Sequence, residues 1–508
     1  MKVVNIMNFV RRIDERIENS TEQLLAFTSE QLDLINKYDV DNTFLLQYDA
    51  VNDEDFVSLF KEKATERTEL GLWYEIVEPL TSVCGIPYRS KKGWKWDWHI
   101  IPGFSMAYTP EQREALIDEA MRKFKEAFGY YPRTVGSWLI DTHTINYLSE
   151  HYDVSAVAIC RDQANTDAYT LLGGYFNGGY YPSKNNIFTP AQTKEMQTNI
   201  PVFRLLGPCP IHNYDNHKYS SDKLISDVGT RPFTLEPVWY MGSTPEISRW
   251  MFDCFYGEES LGFAYSQIGQ ENSFLTKKDL VLCGIKTQIE QLLERGDVEF
   301  KKMGDTGEAF KILYPIETPA TSVVASNNFD STDVQSVYYD CKNYAANLFR
   351  FEDKVFIRSL FLFDERIEDT YLRDICTTYD AVYENLPVVD TMTCPEENKK
   401  CCGLAIDTSG SSFEAERIAD GVLRVSFGND SVIFYDDRIE INVKKLIWHK
   451  DATKASVEVD YSGLVFVYKG RSYRLDVKGA MITKQGEDIL LVAENEQIIL
   501  LPKKNYNF

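Results

Sequence analysis

The sequence predicts an α/β fold: an irregular, TIM-like (β/α) barrel of seven or eight strands, followed by an all-β, sandwich-like domain. Three observations predict it. Up to about residue 303, short apolar runs alternate with longer amphipathic stretches, as in parallel strands with helical crossovers. Several of these runs lead into a carboxylate (Asp14, Asp49, Glu75, Asp141, Asp162 and Glu271), at the strand ends where barrel active sites are built. Beyond residue 400 the chain is a succession of short strand-like runs joined by turn residues. A chain of 508 residues exceeds one compact core. The expected division is a barrel over 1–305, a mixed α/β extension packed on it over 306–390, and a β-sandwich over 400–508, with polar residues 391–400 as linker.

Taken in order, strands are expected at 3–10, 43–47, 70–73, 134–141, 154–160, 202–206 and 262–268, with a short eighth at 298–302. Helices are expected at 20–37, 109–128, 142–148, 245–256 and 276–295. The second of these carries the start signal Thr109-Pro110. Residues 87–108 form an irregular aromatic insertion, and 173–186, rich in Gly, Tyr and Asn, read as a long surface loop. In the extension, strands are expected at 309–314 and 355–363 and a helix at 369–384. In the sandwich, residues 464–468 and 473–477 read as a hairpin turned at Lys469-Gly470, and 489–493 with 497–501 as a second.

The net charge of −23 and pI near 4.8 exclude a basic nucleic-acid face and disfavour an anionic membrane, whereas a sugar is compatible with an acidic cleft. Residues 1–10 read as a first strand rather than a leader, and no run has the length of a membrane span. The ten cysteines are scattered, and Cys394, Cys401 and Cys402 lack zinc-ligand spacing. Reduced thiols and a cytoplasmic location are expected.

Any single strand-end carboxylate is readily explained as a helix cap, Asp141 before Thr142 among them. Six together point to a rim, and two carboxyl groups flanking a scissile bond are what glycoside hydrolysis requires. The run Trp94-Lys-Trp96-Asp97-Trp98-His99 would show three tryptophans on one face if extended, with Asp97 and His99 on the other. Seven of the eight tryptophans lie in the first 250 residues, Trp73, Trp138 and Trp239 beside candidate strand ends. Such rings suit stacking on sugars, as they equally suit packing a barrel's top layer. None of the six histidines forms a His-x-x-x-His pair, and His212, Asp215 and His217 are not specifically spaced, so no metal is expected. Without a Gly-rich phosphate loop or a Gly-x-Ser-x-Gly elbow, no cofactor is expected either. The basic spot Lys91-Lys92-Gly-Trp-Lys95 reads as a solvated loop.

Thr43-Phe-Leu-Leu-Gln-Tyr-Asp-Ala50, Trp96-Asp-Trp98, Phe128-Gly-Tyr-Tyr-Pro132, Val135-Gly-Ser-Trp138, Tyr180-Tyr-Pro-Ser183 and Gly269-Gln-Glu-Asn-Ser273 resemble an uncharacterised family of bacterial proteins. Its N-terminal region is similar to the irregular barrel of polysaccharide deacetylases and family-57-type glycoside hydrolases. The resemblance covers roughly residues 3–390. Deacetylases of this type carry an Asp-Asp pair after the first strand and a His-x-x-x-His metal pair; here Arg11-Arg12-Ile-Asp14 follows the first strand and the histidine pair is missing. The glycosidases place a nucleophile after strand 4 and an acid/base after strand 7, which by location implies Asp141 and Glu271.

The expected function is therefore that of a metal-independent glycoside hydrolase acting on an oligosaccharide or glycoconjugate. Glu271 is its general acid/base, Asp141 its nucleophile or base, and Glu236 a reserve for either. Asp49, Glu75, Asp97, His99 and Asp162 are expected to contact sugar hydroxyls, and Trp96, Trp98, Trp138, Trp239 and Tyr240 to offer stacking surface. The alternatives are a non-catalytic carbohydrate-binding protein and a metal-dependent deacetylase with ligands such as Asp49, His99 and Asp215.

Overall fold

Parallel strands buried on both faces read as continuous apolar runs, and β1 (Lys2–Val10) is of this kind: Val3 to Val10 are all buried. The computed structural model describes residues 1–162, 169–213, 233–378, 381–391, 403–408 and 412–502. Six further parallel strands complete a barrel: β2 (Asn42–Gln47), β3 (Thr68–Trp73), β4 (Thr134–Gly136), β5 (Ala156–Ile159), β6 (Val202–Arg204) and β7 (Ala264–Ile268). Their order is β7-β1-β2-β3-β4-β5-β6. β6 and β7 are not paired with each other. Two side chains bridge the seam instead, with the Leu206 N–H donating to Gln267 Oε1 (2.6 Å) and Asn177 Nδ2 to the Tyr265 carbonyl (2.7 Å). The expected eighth strand is the two-residue Glu299–Phe300, which lines Val3 and Val4 where β2, joining β1 only from Met7, does not reach.

Helices Ser20–Asn36, Pro110–Phe128, Pro245–Phe255 and Lys278–Arg295 cover the barrel. Pro110–Phe128 begins with a reciprocal cap between Thr109 and Gln112 and ends at Gly129, whose φ of 87° suits glycine. β4 is shorter than expected. Its pairing stops at Gly136, where a Cβ would lie 2.5 Å from Leu45 Cδ1, and the chain then turns toward the helix Thr142–His151. Residues 173–186 are not a surface loop. They are largely buried between the barrel and the sheet that follows: Phe176 stacks on Tyr338 at 3.6 Å, and its N–H donates to Asp340 Oδ1 (3.0 Å).

The C-terminal part is two antiparallel sheets on a common core that includes Leu348, Leu360, Phe434 and Leu475. One sheet contains Thr321–Ala325, Val334–Asp340, Tyr344–Phe351 and Lys354–Leu362, and continues through Leu404–Ile406, Lys445–Trp448, Asp488–Ala493 and Ala480–Gln485. The division expected at 390–400 thus runs through a sheet rather than between domains. All of the expected linker but Thr391 lies outside the described residues, as do Cys394, Cys401 and Cys402.

The hairpin at Lys469-Gly470 forms, with φ of 49° and 76° at the turn. The second does not. Asp488–Ala493 joins one sheet and Ile498–Leu501 the other, so long-range pairing overrides proximity. Residues 309–314, expected as strand, lie mostly in the helix Met303–Leu313. The helix expected at 369–384 is replaced by one 3-10 turn, Thr370–Leu372, and a short strand, Ala381–Val382. Asp369 caps that turn, and Arg113 takes up the carbonyls of Tyr371 and Asp374. Among the described residues no helix is long and apolar enough to cross a membrane.

Candidate active site at the barrel mouth

Arg11, the first residue beyond β1, organises the carboxyl end of the barrel. Its N–H donates to Asn272 Oδ1 (3.0 Å) and its carbonyl accepts from Asn272 Nδ2 (2.8 Å), which ties the segments after β1 and β7 together. Its guanidinium grips Glu75, at the end of β3, through Nε and Nη2 (3.1 and 3.0 Å), and Nη1 donates to Glu271, beyond β7. Glu75 also accepts from Gln47 Nε2 (2.7 Å) and Trp96 Nε1 (3.1 Å), and Glu271 from the Ser273 hydroxyl. One cation and two carboxylates are buried together. A guanidinium tolerates such burial only when its fork is filled. Burial opposes the charge on Arg11, but Glu271 and Glu75 outweigh it and raise its pKa.

Asp49 lies in the turn of helix Tyr48–Val51, directly beyond β2. Burial pushes its carboxyl up to about 7, although the Ala50 and Arg12 N–H groups and the charges of Arg12 and Arg11 act the other way. Its Oδ1 has no hydrogen-bond partner among the described residues. Glu236 accepts from Gln270 Nε2 (3.1 Å), Thr234 Oγ1 (3.2 Å) and Trp239 Nε1 (3.1 Å). The consecutive residues Gln270 and Glu271 therefore reach Glu236 and Arg11 respectively.

Inside the barrel top, Phe9 stacks on Trp73 (4.0 Å), and half-buried Trp138 stands edge-on to both rings (5.3 Å each). Trp73 Nε1 and Ser137 Oγ are buried without a partner among the described residues.

The run 94–98 is a series of bends, not an extended strand. Its tryptophans still gather, with Trp98 5.6 Å from Trp94 and 6.1 Å from Trp96, but this chain's own cations lie against them. Trp96 is buried beneath Arg11, and Trp98 carries Arg16, Lys92 and the stacked His99 ring. The expectation that Trp96 and Trp98 offer open stacking faces is corrected accordingly. Asp97 and His99 bond to each other, and Asp97 also accepts from the Lys91 N–H (3.1 Å) and Ser90 hydroxyl (3.1 Å), so they hold the insertion's shape. Trp239 is half-buried and Tyr240 exposed.

Asp141 is not at the rim. It is fully buried and caps helix Thr142–His151 through the Thr144 N–H (2.9 Å); it accepts from Ser105 and Thr144 hydroxyls and pairs with Arg113 (3.0 Å). Burial would raise its pKa, but Arg113 and those donors hold it below the usual range. With both oxygens committed, Asp141 is a structural carboxylate, and the nucleophile role assigned to it is corrected. Asp162 accepts from the Gly173 N–H (3.1 Å) and has Arg204 and Asp390 as charged neighbours. It belongs to the junction of barrel and sheet, not to Glu271. Asp14 is held by Arg16 (2.8 and 2.6 Å).

Among the described residues no group of three or more His, Cys, Asp or Glu side chains is placed to hold a metal ion. Asp215 and His217 lie outside the described residues, and His99 is committed to Asp97. The described residues by themselves do not assemble the metal site of a deacetylase. No local pattern singles out Gln47, whereas the double arginine directly after the first strand of so acidic a chain is a usable signal for Arg11.

No protein-family model matches the chain, and no curated protein matches it. Among solved structures, it is similar to a "putative glycoside hydrolase/deacetylase" from Parabacteroides distasonis, with TM-score 0.54 and 14% identity over 74% of this chain and 89% of that one. A "putative polysaccharide deacetylase" from Mycobacterium smegmatis (TM-score 0.37, 11% identity, 61% and 91% covered) and the Puue allantoinase (0.39, 12%, 62% and 91%) are more distant. At these identities the first likeness is one of fold: the TIM-like barrel and the β-structure beyond it are an arrangement seen before.

Proposed function

We propose that the protein is a carbohydrate-active hydrolase that cleaves glycosidic bonds with Glu271 and Asp49 as its working carboxyl groups. The observation that carries the reading is that both carboxyl groups face the segment just beyond β1: Glu271 pairs with the Arg11 guanidinium, and Asp49 accepts from the Arg12 N–H, its carboxyl pushed up by burial to about 7. Glycoside hydrolysis needs one carboxyl that gives up a proton near neutral pH and one anionic partner. Asp49 suits the acid, because burial keeps its proton on up to about pH 7 and one oxygen is uncommitted. Glu271, the ion-pair partner of Arg11 oriented by Ser273, suits the nucleophile or base. Glu75, enclosed by four donor contacts, positions Arg11. Trp138, half-buried and backed edge-on by the enclosed rings of Phe9 and Trp73, supplies the apolar edge against which a sugar ring would lie.

Glu271→Gln keeps the shape of the side chain and removes its charge. It is expected to lose turnover of a screened oligosaccharide by roughly a thousandfold or more while binding persists. Unchanged hydrolysis by that variant would end the assignment.

A further inference from the structure

From the mouth outward, cations and aromatic rings alternate along residues 11–16 and 92–98. Arg11 lies 4.5 Å from the centre of the Trp96 ring; Arg16 lies 5.4 Å from Trp96 and 5.3 Å from Trp98; Lys92 lies 4.4 Å from both Trp98 and Trp94. Burial falls along the series, from enclosed Arg11 and Trp96, through half-buried Trp98 and Trp94, to exposed Lys92. Lys95 stands exposed beside it, and its backbone N–H donates to Glu15 (2.9 Å). On this acidic chain exposed lysines commonly hold a carboxylate, as Lys278 holds Glu30 and Lys450 holds Glu487. Lys92 and Lys95 hold none among the described residues.

We infer that this ladder recognises an acidic oligosaccharide, one whose sugars carry carboxylate or sulfate groups. The inference rests on reading the mouth as a glycan site and adds the substrate class. A neutral sugar would have to displace cations from ring faces they already cover, losing their attraction to the rings. An anionic sugar would instead meet Lys92 and Lys95 in place, with the edges of Trp94 and Trp98 beside them. The overall charge repels such a ligand, so recognition must come from uncompensated cations at the contact itself.

Isothermal titration of the full chain with tetragalacturonic acid, a heparin-derived tetrasaccharide and cellotetraose tests this. At least one acidic tetrasaccharide is expected to bind, cellotetraose about tenfold or more weakly, and the Lys92→Glu/Lys95→Glu double variant is expected to lose about tenfold in affinity for the acidic ligand. The two acidic ligands separate carboxylate from sulfate recognition. Lys92→Gln/Lys95→Gln serves as a milder variant should the charge reversal disturb folding. Preference for cellotetraose, no binding of either acidic ligand, equal binding by the variants, or equally tight binding of a single-stranded oligonucleotide would overturn the inference. Hydrolysis that survives Glu271→Gln would instead remove the catalytic assignment and leave these binding results standing.

Discussion

Two buried arginine–carboxylate knots lie beyond strand ends of this barrel, and they differ in what they leave over. Around Arg113, every strong group is used: Asp141 takes four donors, and Arg113 passes its remaining N–H groups to the carbonyls of Met106, Tyr108, Tyr371 and Asp374. That knot fastens the aromatic insertion to residues 371–374. Around Arg11, the fork is filled as well, but Glu271 keeps some exposure, Asp49 keeps an unpaired oxygen, and the ladder of rings and cations leads outward. A buried carboxylate at a strand end is therefore not in itself a sign of chemistry. What separates the two knots is the unpaired oxygen of Asp49 and the residual exposure of Glu271.

The comparison breaks most readily at the closed knot. Asp141→Asn would leave Arg113 buried with its charge unbalanced, and a loss of about 3–5 kcal/mol in stability is expected by chemical denaturation. Folded Asp141→Asn protein should retain turnover, and a fall in activity beyond the unfolded fraction would mean that the two knots are not separate. Arg11→Lys should be milder in stability, about 1–3 kcal/mol, since a lysine cannot fill a two-pronged fork. Its turnover should nevertheless fall at least tenfold, because Glu271 loses its partner. Retention of full activity by Arg11→Lys would show that Glu271 is not positioned by that pair.

Titration separates the two knots as well. With Asp49 acting as an acid at about 7, kcat/KM should decline as pH rises through that value, and Asp49→Asn should abolish this limb together with most of the activity. A rate that rises through neutral pH would assign Asp49 the opposite role. Asp141, held below its ordinary range, contributes stability that is present above the unfolded carboxylate value and lost as pH falls through the folded one. Acid unfolding should accordingly shift to higher pH in Arg113→Gln, measured by circular dichroism.

The barrel was legible because its strands are buried on both faces, so β1, β2 and β3 stand out as apolar runs, and because Thr109-Pro110 and Gly129 mark their helix. The sandwich sheets were legible as strands but not as partners: Leu404–Ile406 pairs with Lys354–Leu362 and Lys445–Trp448, contacts that no local pattern encodes. Residues 173–186 looked like a surface loop by composition, yet their backbone is satisfied by the barrel and the sheet together. At the site, Glu271 and Asp49 were visible as strand-end carboxylates. Asp141 looked the same, because a helix cap and a rim carboxylate are the same residue type at the same place, and only its partners, Arg113, Ser105 and Thr144, set it apart. Arg11 was hidden for the converse reason: an arginine after a strand reads as solvated until two glutamates from distant strands are seen to close on it.

The most direct test sets Glu271→Gln beside Asp141→Asn, with melting temperature and turnover per folded molecule measured on the same oligosaccharide. The account predicts that Glu271→Gln melts close to the unaltered protein and is inactive, whereas Asp141→Asn melts well below it and stays active. The reverse pattern, an active Glu271→Gln with a stable but inactive Asp141→Asn, would contradict it.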